Sequence, residues 1–425
     1  MRVFVLDKNK KPLNPTHPAR ARKLLKLGRA KVFKQFPFTI IIQDIEGGEI
    51  NECQLKIDPG SRTTGLAILQ GNRVIWAAEL THRGQQIRDK LTSRRQLRRG
   101  RRSRKTRYRK PRFLNRKRPD GWLAPSLMSR VHNILTWVKR LCRICPISGL
   151  SQELVRFDTQ ALQNPEISGA EYQQGELLGY EVREYLLEKW NRKCAYCSAE
   201  NIPLEVEHIQ PKSKGGSNRV SNLTLACHSC NQIKGNQEIK DFLSVKPKIL
   251  KGILGQAKAS LKDAAAVNST RWKLYEALKI TGLPVEVGTG GLTKFNRTRH
   301  NLHKTHWLDA ACVGKSTPEQ LIIKVKNPLL IAAKGHGTRQ RCRPDKYGFP
   351  KAHAPKAKFF QGFQTGDIVR ASVPKGKYAG NYVGRIAIRF RPSFRLSTTG
   401  NKPFDVHPKY LQAIHHADGY EYSFN

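Results

Sequence analysis

Two close cysteine pairs, Cys194/Cys197 and Cys227/Cys230, are the strongest chemical signal in this 425-residue chain. Each CxxC knuckle aims two thiolates at one point, and two knuckles supply the four soft ligands of a closed tetrahedral zinc site. The 29 residues between the knuckles exceed what a plain zinc ribbon needs, and they carry their own pattern. It runs Glu205-Val206-Glu207-His208-Ile209, Pro211, Lys214-Gly215-Gly216 and Ser221-Asn222-Leu223, with Asn231 directly after the last cysteine. Phosphodiester hydrolysis needs a hard cation to polarise the phosphate and a base to activate water. Glu207 and Asn231 offer oxygen ligands suited to Mg²⁺. Imidazole is the side chain suited to accept a proton near neutral pH, which makes His208 the base. Asn222 is expected to hydrogen-bond that imidazole and fix its orientation. Two blander readings stand beside this one: a zinc ribbon that only binds nucleic acid, and a site in which His228 replaces a cysteine.

A second set of acidic residues is scattered along the chain. Asp58 ends an apolar strand before a Pro-Gly-Ser turn. Glu153 is expected to open a strand, Glu153–Asp158, sharing a face with Val155 and Phe157. His303, His306, Asp309 and Val313 are spaced by three or four, which would place them on one face of a helix over 300–313. An acidic cluster on neighbouring strands and a nearby helix can hold two Mg²⁺ ions for in-line displacement at phosphorus. Taken singly, each of these residues also fits a turn cap, an edge residue or a surface histidine.

The elements needed to position these groups follow from patterning. Residues 1–45 read as a strand (Arg2–Leu6), a basic helix from about Pro18 to Leu27, and an apolar strand over Phe38–Gln43. Residues 53–80 read as three strands joined by PGSRTT and QGN turns. Between Arg83 and Arg118, eighteen Lys or Arg stand against Asp89 alone, a local charge of +17. Ile87, Leu91 and Leu97 keep some apolar positions there, so a helix gripping a nucleic-acid backbone is expected, with Arg94, Arg95, Arg98, Arg99, Arg101 and Arg102 as contacts. Leu127, Val131, Ile134, Leu135 and Val138 mark a helix over 126–142. After about Thr317, GDIVRA, KYAGNYVGRIAIRF and YEYSF read as a small basic β domain.

The formal net charge is +46, which a polyanionic partner would compensate. No apolar stretch approaches the roughly 18 residues of a membrane span, which favours nucleic acid over a membrane. The start, MRVFVLDKNKKPL, does not read as a secretory signal. Nine cysteines, an odd number, fit a reducing cytoplasm better than a disulfide framework.

The pattern CxxC…EH…P…GG…SNL…CxxCN resembles the HNH, or ββα-metal, endonuclease motif, with His208, Asn222 and Asn231 as its three letters. That family often has Asp where Glu207 stands. KIDPGSRTTGLAI, ELVRFD and HKTHWLDAACVG together resemble the split motifs of a RuvC-like nuclease of RNase H fold. By that resemblance Asp58, Glu153 and Asp309 bind Mg²⁺ or Mn²⁺, and His306 is base or ligand. The whole layout resembles IscB, the transposon-encoded RNA-guided nucleases related to the larger CRISPR type II effectors. Pro12-Leu13-Asn14-Pro15 departs at one position from the Pro-Leu-Met-Pro motif that names that family's N-terminal domain.

The implied fold is α+β and multidomain: an RNase H-like core split by a zinc-containing HNH insert, with small N-terminal and β-rich C-terminal domains. The expected divisions are 1–52 (PLMP-like), 53–82 (RuvC-I), 83–118 (bridge helix), 119–165 (RuvC-II), 166–245 (HNH), 246–316 (RuvC-III) and 317–425 (C-terminal region). The resemblance further implies a guide (omega) RNA and a double-stranded DNA target. HNH would cut the guide-paired strand and the RuvC-like site the displaced one, in a monomeric protein of the prokaryotic cytoplasm. So small a chain cannot read a long site through side chains, and base pairing would carry the sequence. A guide-free homing or junction-resolving HNH nuclease and a non-catalytic RNA-binding protein are the alternatives.

Overall fold

The computed structural model describes residues 1–48, 50–103, 121–154, 182–183, 186–187, 189–190, 192–200, 202–257, 262–335, 342–345, 350–353, 357–389, 392–400 and 402–424, and the architecture below is that of these residues. Near the N-terminus, β1 (Val3–Leu6), β2 (Pro12–Thr16), α1 (Pro18–Lys26), β3 (Ala30–Lys34) and β4 (Thr39–Ile42) form a four-stranded sheet in the order β2-β1-β4-β3 with one helix. His17 caps α1 by accepting from the Ala19 amide, and Pro18 stands where no amide donor is needed. The proline-rich β2 was not anticipated as a strand. Pro12 and Pro15 are tolerated because β2 lies at the sheet edge.

The central sheet begins with the expected meander: β5 (Cys53–Asp58), β6 (Thr63–Gln70) and β7 (Arg73–Thr81). The Arg-rich α2 (Gly84–Ser103) then leads towards α3 (Pro125–Cys142), against which it lies. β8 (Ile147–Glu153) joins β5 in parallel. Strand alternation divides the two faces of β5. Leu55 and Ile57 are fully buried against Val131, Ile134, Trp137 and Val138 of α3, while Gln54, Lys56 and Asp58 face the other way.

Next in sequence come β9 (Leu204–His208), β10 (Leu223–Cys227) and α4 (His228–Lys234), a small hairpin plus helix with its own apolar core. α5 (Ile239–Phe242) and α6 (Pro247–Ala257) pack on that core. α7 (Lys262–Lys279) returns to the central sheet beside α3, and β11 (Val285–Gly288) extends the sheet in parallel to β8. α8 (Gly290–Arg299) and α9 (His306–Ala311) follow, with α9 on the sheet face opposite α3.

The sheet is completed by residues from far downstream. β12 (Ile322–Ile323) and β13 (Leu329–Ala333) pair with β7 in parallel. After the hairpin β14 (Cys342–Pro344) and β15 (Pro350–His353), a five-stranded sheet forms from β16 (Ile368–Val373), β17 (Gly380–Ala387), β18 (Phe394–Ser397), β19 (Phe404–Val406) and β20 (Leu411–His415). Its core is Val369, Ala371, Ile386, Phe394, Leu396, Phe404 and Val406. β21 (Tyr420–Phe424), the YEYSF segment, leaves that domain and pairs antiparallel with β13. The expected division at residue 317 is therefore not an edge of the central sheet.

Two further expectations are corrected. Glu153 ends β8 instead of opening a strand, since the strand that pairs with β5 and β11 is ISGLSQE, a largely polar segment with no apolar run to mark it. Residues 155–158 of the expected strand, Val155, Phe157 and Asp158 among them, lie outside the described residues. The stretch expected as one helix over 300–313 holds only the short α9, because Thr305 caps a new start by accepting from the Leu308 amide. His303 lies before that cap and shares no helix face with His306. Among the described residues, no helix is long and apolar enough to cross a membrane.

Candidate active sites and zinc centre

The four cysteines come together as the spacing predicts. Cys194, Cys197, Cys227 and Cys230 place their sulfurs within 4.8 Å of one another, and Cys197 Sγ is 3.8 Å from Cys227 Sγ. A tetrahedron with metal–sulfur distances of about 2.3 Å has edges of about 3.8 Å, so the donor set fits zinc. Burial opposes ionisation of Cys194, but the amides of Cys227, Cys197 and Tyr196 point at its sulfur and bring the thiol down to about 7. His228 is turned away from the cluster, with Nδ1 2.9 Å from Glu205 Oε1.

The hairpin beside this centre aligns Glu205 and Glu207 on the strand face that meets α4. His228, Asn231 and Lys234 recur every three residues along that helix and meet the two carboxylates in order. Asn231 Nδ2 donates to Glu205 Oε2 at 2.6 Å. Lys234, fully buried, donates to Glu207 Oε1 at 2.7 Å and to the His208 carbonyl at 2.9 Å. Tyr196 takes the second oxygen of Glu207 at 2.6 Å. Of the two residues expected to offer oxygen ligands, Glu207 therefore meets Lys234 and Tyr196, while Asn231, one helical turn earlier, meets Glu205. The Asn231 and His228 contacts hold the Glu205 carboxyl below the usual range.

His208 makes its ring contact with Asn218 instead of Asn222, Nε2 to Oδ1 at 3.0 Å. An acceptor at Nε2 keeps the ring proton there and leaves the Nδ1 lone pair as the basic position. Asn222 fastens the following loop: it accepts from the Gln210 amide at 2.9 Å and donates to the Gln210 and Ser217 carbonyls. Gly216 belongs to this loop for steric reasons, since a Cβ there would lie 1.9 Å from the Gln210 carbonyl oxygen.

The second site is assembled from distant segments. Asp58 at the end of β5 and Glu153 at the end of β8 lie on adjacent parallel strands. α9 brings His306 and Asp309, and His306 Nδ1 is 4.0 Å from Asp58 Oδ2. The helix can sit this close because Gly65 on β6 has no side chain: a Cβ would lie 1.8 Å from the His306 carbonyl oxygen. Burial, then repulsion from Asp58, pushes Glu153 up to about 8 and Asp309 up to about 7. Asp309 is also a source of repulsion on Glu153, so the three carboxylates share one field.

Three carboxylates gathered at one place offer the hard oxygen donors that suit cations such as Mg²⁺. Its donors are more widely spread than the cysteines, which among the described residues are the one group of three or more His, Cys, Asp or Glu donors all within 4.8 Å. Two arginines lean in. Arg271 of α7 approaches Glu153 at 3.4 Å, and Arg297 of α8 approaches Asp309 at 2.8 Å, though its Nε–H is not directed at the oxygen. Lys56 holds the far end of α9 by donating to the Val313 carbonyl at 2.7 Å.

Sequence reasoning missed Glu205, Lys234, Lys56, Arg271 and Arg297. Period-two counting from Glu207 would have found Glu205, whereas the other four are visible only through long-range packing. Of the expected nucleic-acid contacts, Arg94, Arg95, Arg98 and Arg99 are exposed along α2, and the backbone of Arg101 and Arg102 continues the same helix.

Two protein families match the chain. The family described as RRXRR protein matches residues 3–175, and HNH endonuclease matches residues 194–237. The first range includes Arg98-Arg99-Gly100-Arg101-Arg102. No curated protein matches. Among solved structures, Streptococcus thermophilus Cas9 in complex with the GGAA PAM is similar at 14% identity and TM-score 0.24, over 61% of this chain and 32% of that one. The Type II-C Cas9 from Actinomyces naeslundii is similar at 18% identity and TM-score 0.17, over 43% and 26%. The chain thus spans about a third or less of either Cas9, and likeness at such TM-scores bears no functional weight. Residues 194–237 are thus an HNH endonuclease domain by family.

Proposed function

We propose that this IscB-like chain, an RRXRR region joined to an HNH endonuclease domain, is an RNA-guided endonuclease that cuts both strands of DNA. The observation that carries the reading is placement. The HNH domain is inserted between β8 and β11, two paired strands of one sheet, and that sheet gathers Asp58, Glu153, His306 and Asp309 at a second site. A split RuvC-like core accounts for both the interruption and the carboxylates.

At the HNH site, half-exposed Glu205 and Asn231 are the oxygen donors, and Glu207, paired with Lys234 and Tyr196, is the inner staple. At the RuvC-like site, Asp58, Glu153 and Asp309 are the donors. Mg²⁺ or Mn²⁺ at either place would neutralise phosphate charge and stabilise the leaving oxygen. His208 Nδ1 accepts the proton of the attacking water, with Asn218 holding the ring. His306, half exposed at the head of α9, does the same beside Asp58 or joins the ligands. Zinc on the four cysteines would hold the HNH hairpin and helix together.

The Arg-rich α2 and the +46 charge support a nucleic-acid partner larger than the target DNA alone. By this reading the guide RNA lies along α2, HNH cuts the guide-paired strand, and the RuvC-like site cuts the displaced strand. The test is to sequence RNA that co-purifies with the protein and then cleave DNA matched to it. Cleavage of matched DNA in Mg²⁺ supports the reading. Equal cleavage after RNA removal would make this a guide-free nuclease.

A further inference from the structure

Arg271 is buried, with 7% of its surface exposed, and lies 118 residues beyond Glu153 in sequence. It touches three points of the RuvC-like site. Nε donates to the Pro59 carbonyl at 3.2 Å, just past Asp58. Nη2 pairs with Glu153 Oε1 at 3.4 Å. Its own carbonyl accepts from Gln152 Nε2 at 2.9 Å. The planar guanidinium thus spans from the end of β5 to the end of β8, the two strands whose terminal carboxylates must converge. α7, which carries it, is the segment returning from the HNH domain.

We propose that Arg271 is a positioning residue of the RuvC-like site, fixing the Asp58–Glu153 separation for divalent-cation binding. The proposal rests on the reading of Asp58, Glu153 and Asp309 as cation donors. A guanidinium held by a carbonyl on one side and a carboxylate on the other cannot swing out to solvent at low cost, so it stays when a cation arrives. Arg271 and Arg297 lie beside the carboxylates and Arg192 also acts on Asp309, so a cation binds here alongside cationic groups already held in place. The spacing is set by the fork of Arg271, with its two directed donors, and a point charge would not reproduce it. Because Glu153 immediately precedes the HNH-bearing stretch and α7 follows it, the same clamp closes the base of the insert.

The test is a Mn²⁺ titration of the full chain followed by electron paramagnetic resonance, with strand-resolved cleavage run in parallel. Asp58→Ala identifies the Mn²⁺ site in question; if it removes neither Mn²⁺ binding nor displaced-strand cutting, the RuvC-like reading itself fails. Given that control, Arg271→Gln is expected to weaken Mn²⁺ binding at that site by about 10-fold or more, as loss of a ligand-orienting partner does. Displaced-strand cutting slows with it, the HNH cut serving as internal reference. Unchanged or tighter Mn²⁺ binding overturns the proposal, since a mere counter-ion would then have been removed. If Arg271→Gln does not fold, Arg271→Lys carries the test. It keeps the charge but loses the fork, and binding equal to the parent overturns the proposal.

Discussion

The two sites are built in opposite ways. The HNH centre and its four-cysteine cluster come from one run, Cys194 to Asn231, folded as a hairpin and one helix turn. The RuvC-like site draws Asp58, Glu153, His306 and Asp309 from three stretches and is held by Lys56 on the strand of Asp58 and by Gly65 and Arg271 from elsewhere. A local site keeps its geometry through backbone hydrogen bonds and a metal. A dispersed one keeps it through packing, so its failures should be mechanical as well as chemical.

The largest expected effect separates the sites outright. His208→Ala should reduce cutting of the guide-paired strand by about 10²- to 10⁴-fold, the usual contribution of a positioned base, and leave the displaced strand cut. Asp58→Ala should do the reverse. Strand-specific end-labelling of the products measures both. Loss of both cuts from either single change, with the fold intact, would show that the two regions act as one site.

Next in size is zinc. Cys194→Ser should lower bound zinc and open the core around Leu186, Leu225 and Ile253, since a structural zinc contributes roughly 10 kcal/mol of folding free energy in small modules. Hydrogen exchange should then rise over β9, β10 and α4 while β5 to β8 stay protected. Zinc content unchanged by this substitution would remove the four-cysteine centre from the comparison.

That contrast also explains what could be read in advance. The knuckles, the hairpin signature and the β5–β7 meander rest on short-range rules, and the residues stand where those rules put them. The contacts of Glu207 with Tyr196 and Lys234 were not anticipated, because spacing gives the shared face of Glu205 and Glu207 but not which helix residue opposes each. Glu153 was placed at the wrong end of its strand because periodicity finds strands better than their limits. YEYSF was assigned to the C-terminal sheet because pairing partners 87 to 95 residues apart leave no local mark. Arg271 and Lys56 read as ordinary basic residues in a chain full of them, and only burial distinguishes them.

The two glutamates of β9 sharpen the comparison within the local site. Glu207→Gln breaks a pair in which Lys234 is fully buried, and an orphaned buried charge typically costs about 3–5 kcal/mol. Thermal denaturation of the HNH domain should register it. Glu205→Gln, at a half-exposed position, should leave stability nearly unchanged and weaken Mg²⁺ dependence of the guide-paired cut. If Glu207→Gln alone shifts the Mg²⁺ requirement and stability does not move, the carboxylate leaves Lys234 in the active state.

Gly65→Ala gives the smallest effect and the most direct test of the dispersed site. One methyl group would meet the His306 carbonyl oxygen and the Trp307 amide, both backbone atoms that cannot rotate aside. α9 must therefore move off β6, carrying His306 and Asp309 away from Asp58. Overpacking of this kind costs about 1–3 kcal/mol, within what a sheet covered by α3 on its other face can absorb. The chain should stay folded, zinc should stay bound, and the guide-paired cut should proceed at its normal rate. Displaced-strand cutting should slow by at least about 10-fold, since small misplacements of reacting groups are costly even when every group is present. Equal slowing of both cuts would mean that the two sites share a mechanical element through α9, and the division between a local and a dispersed centre would not hold.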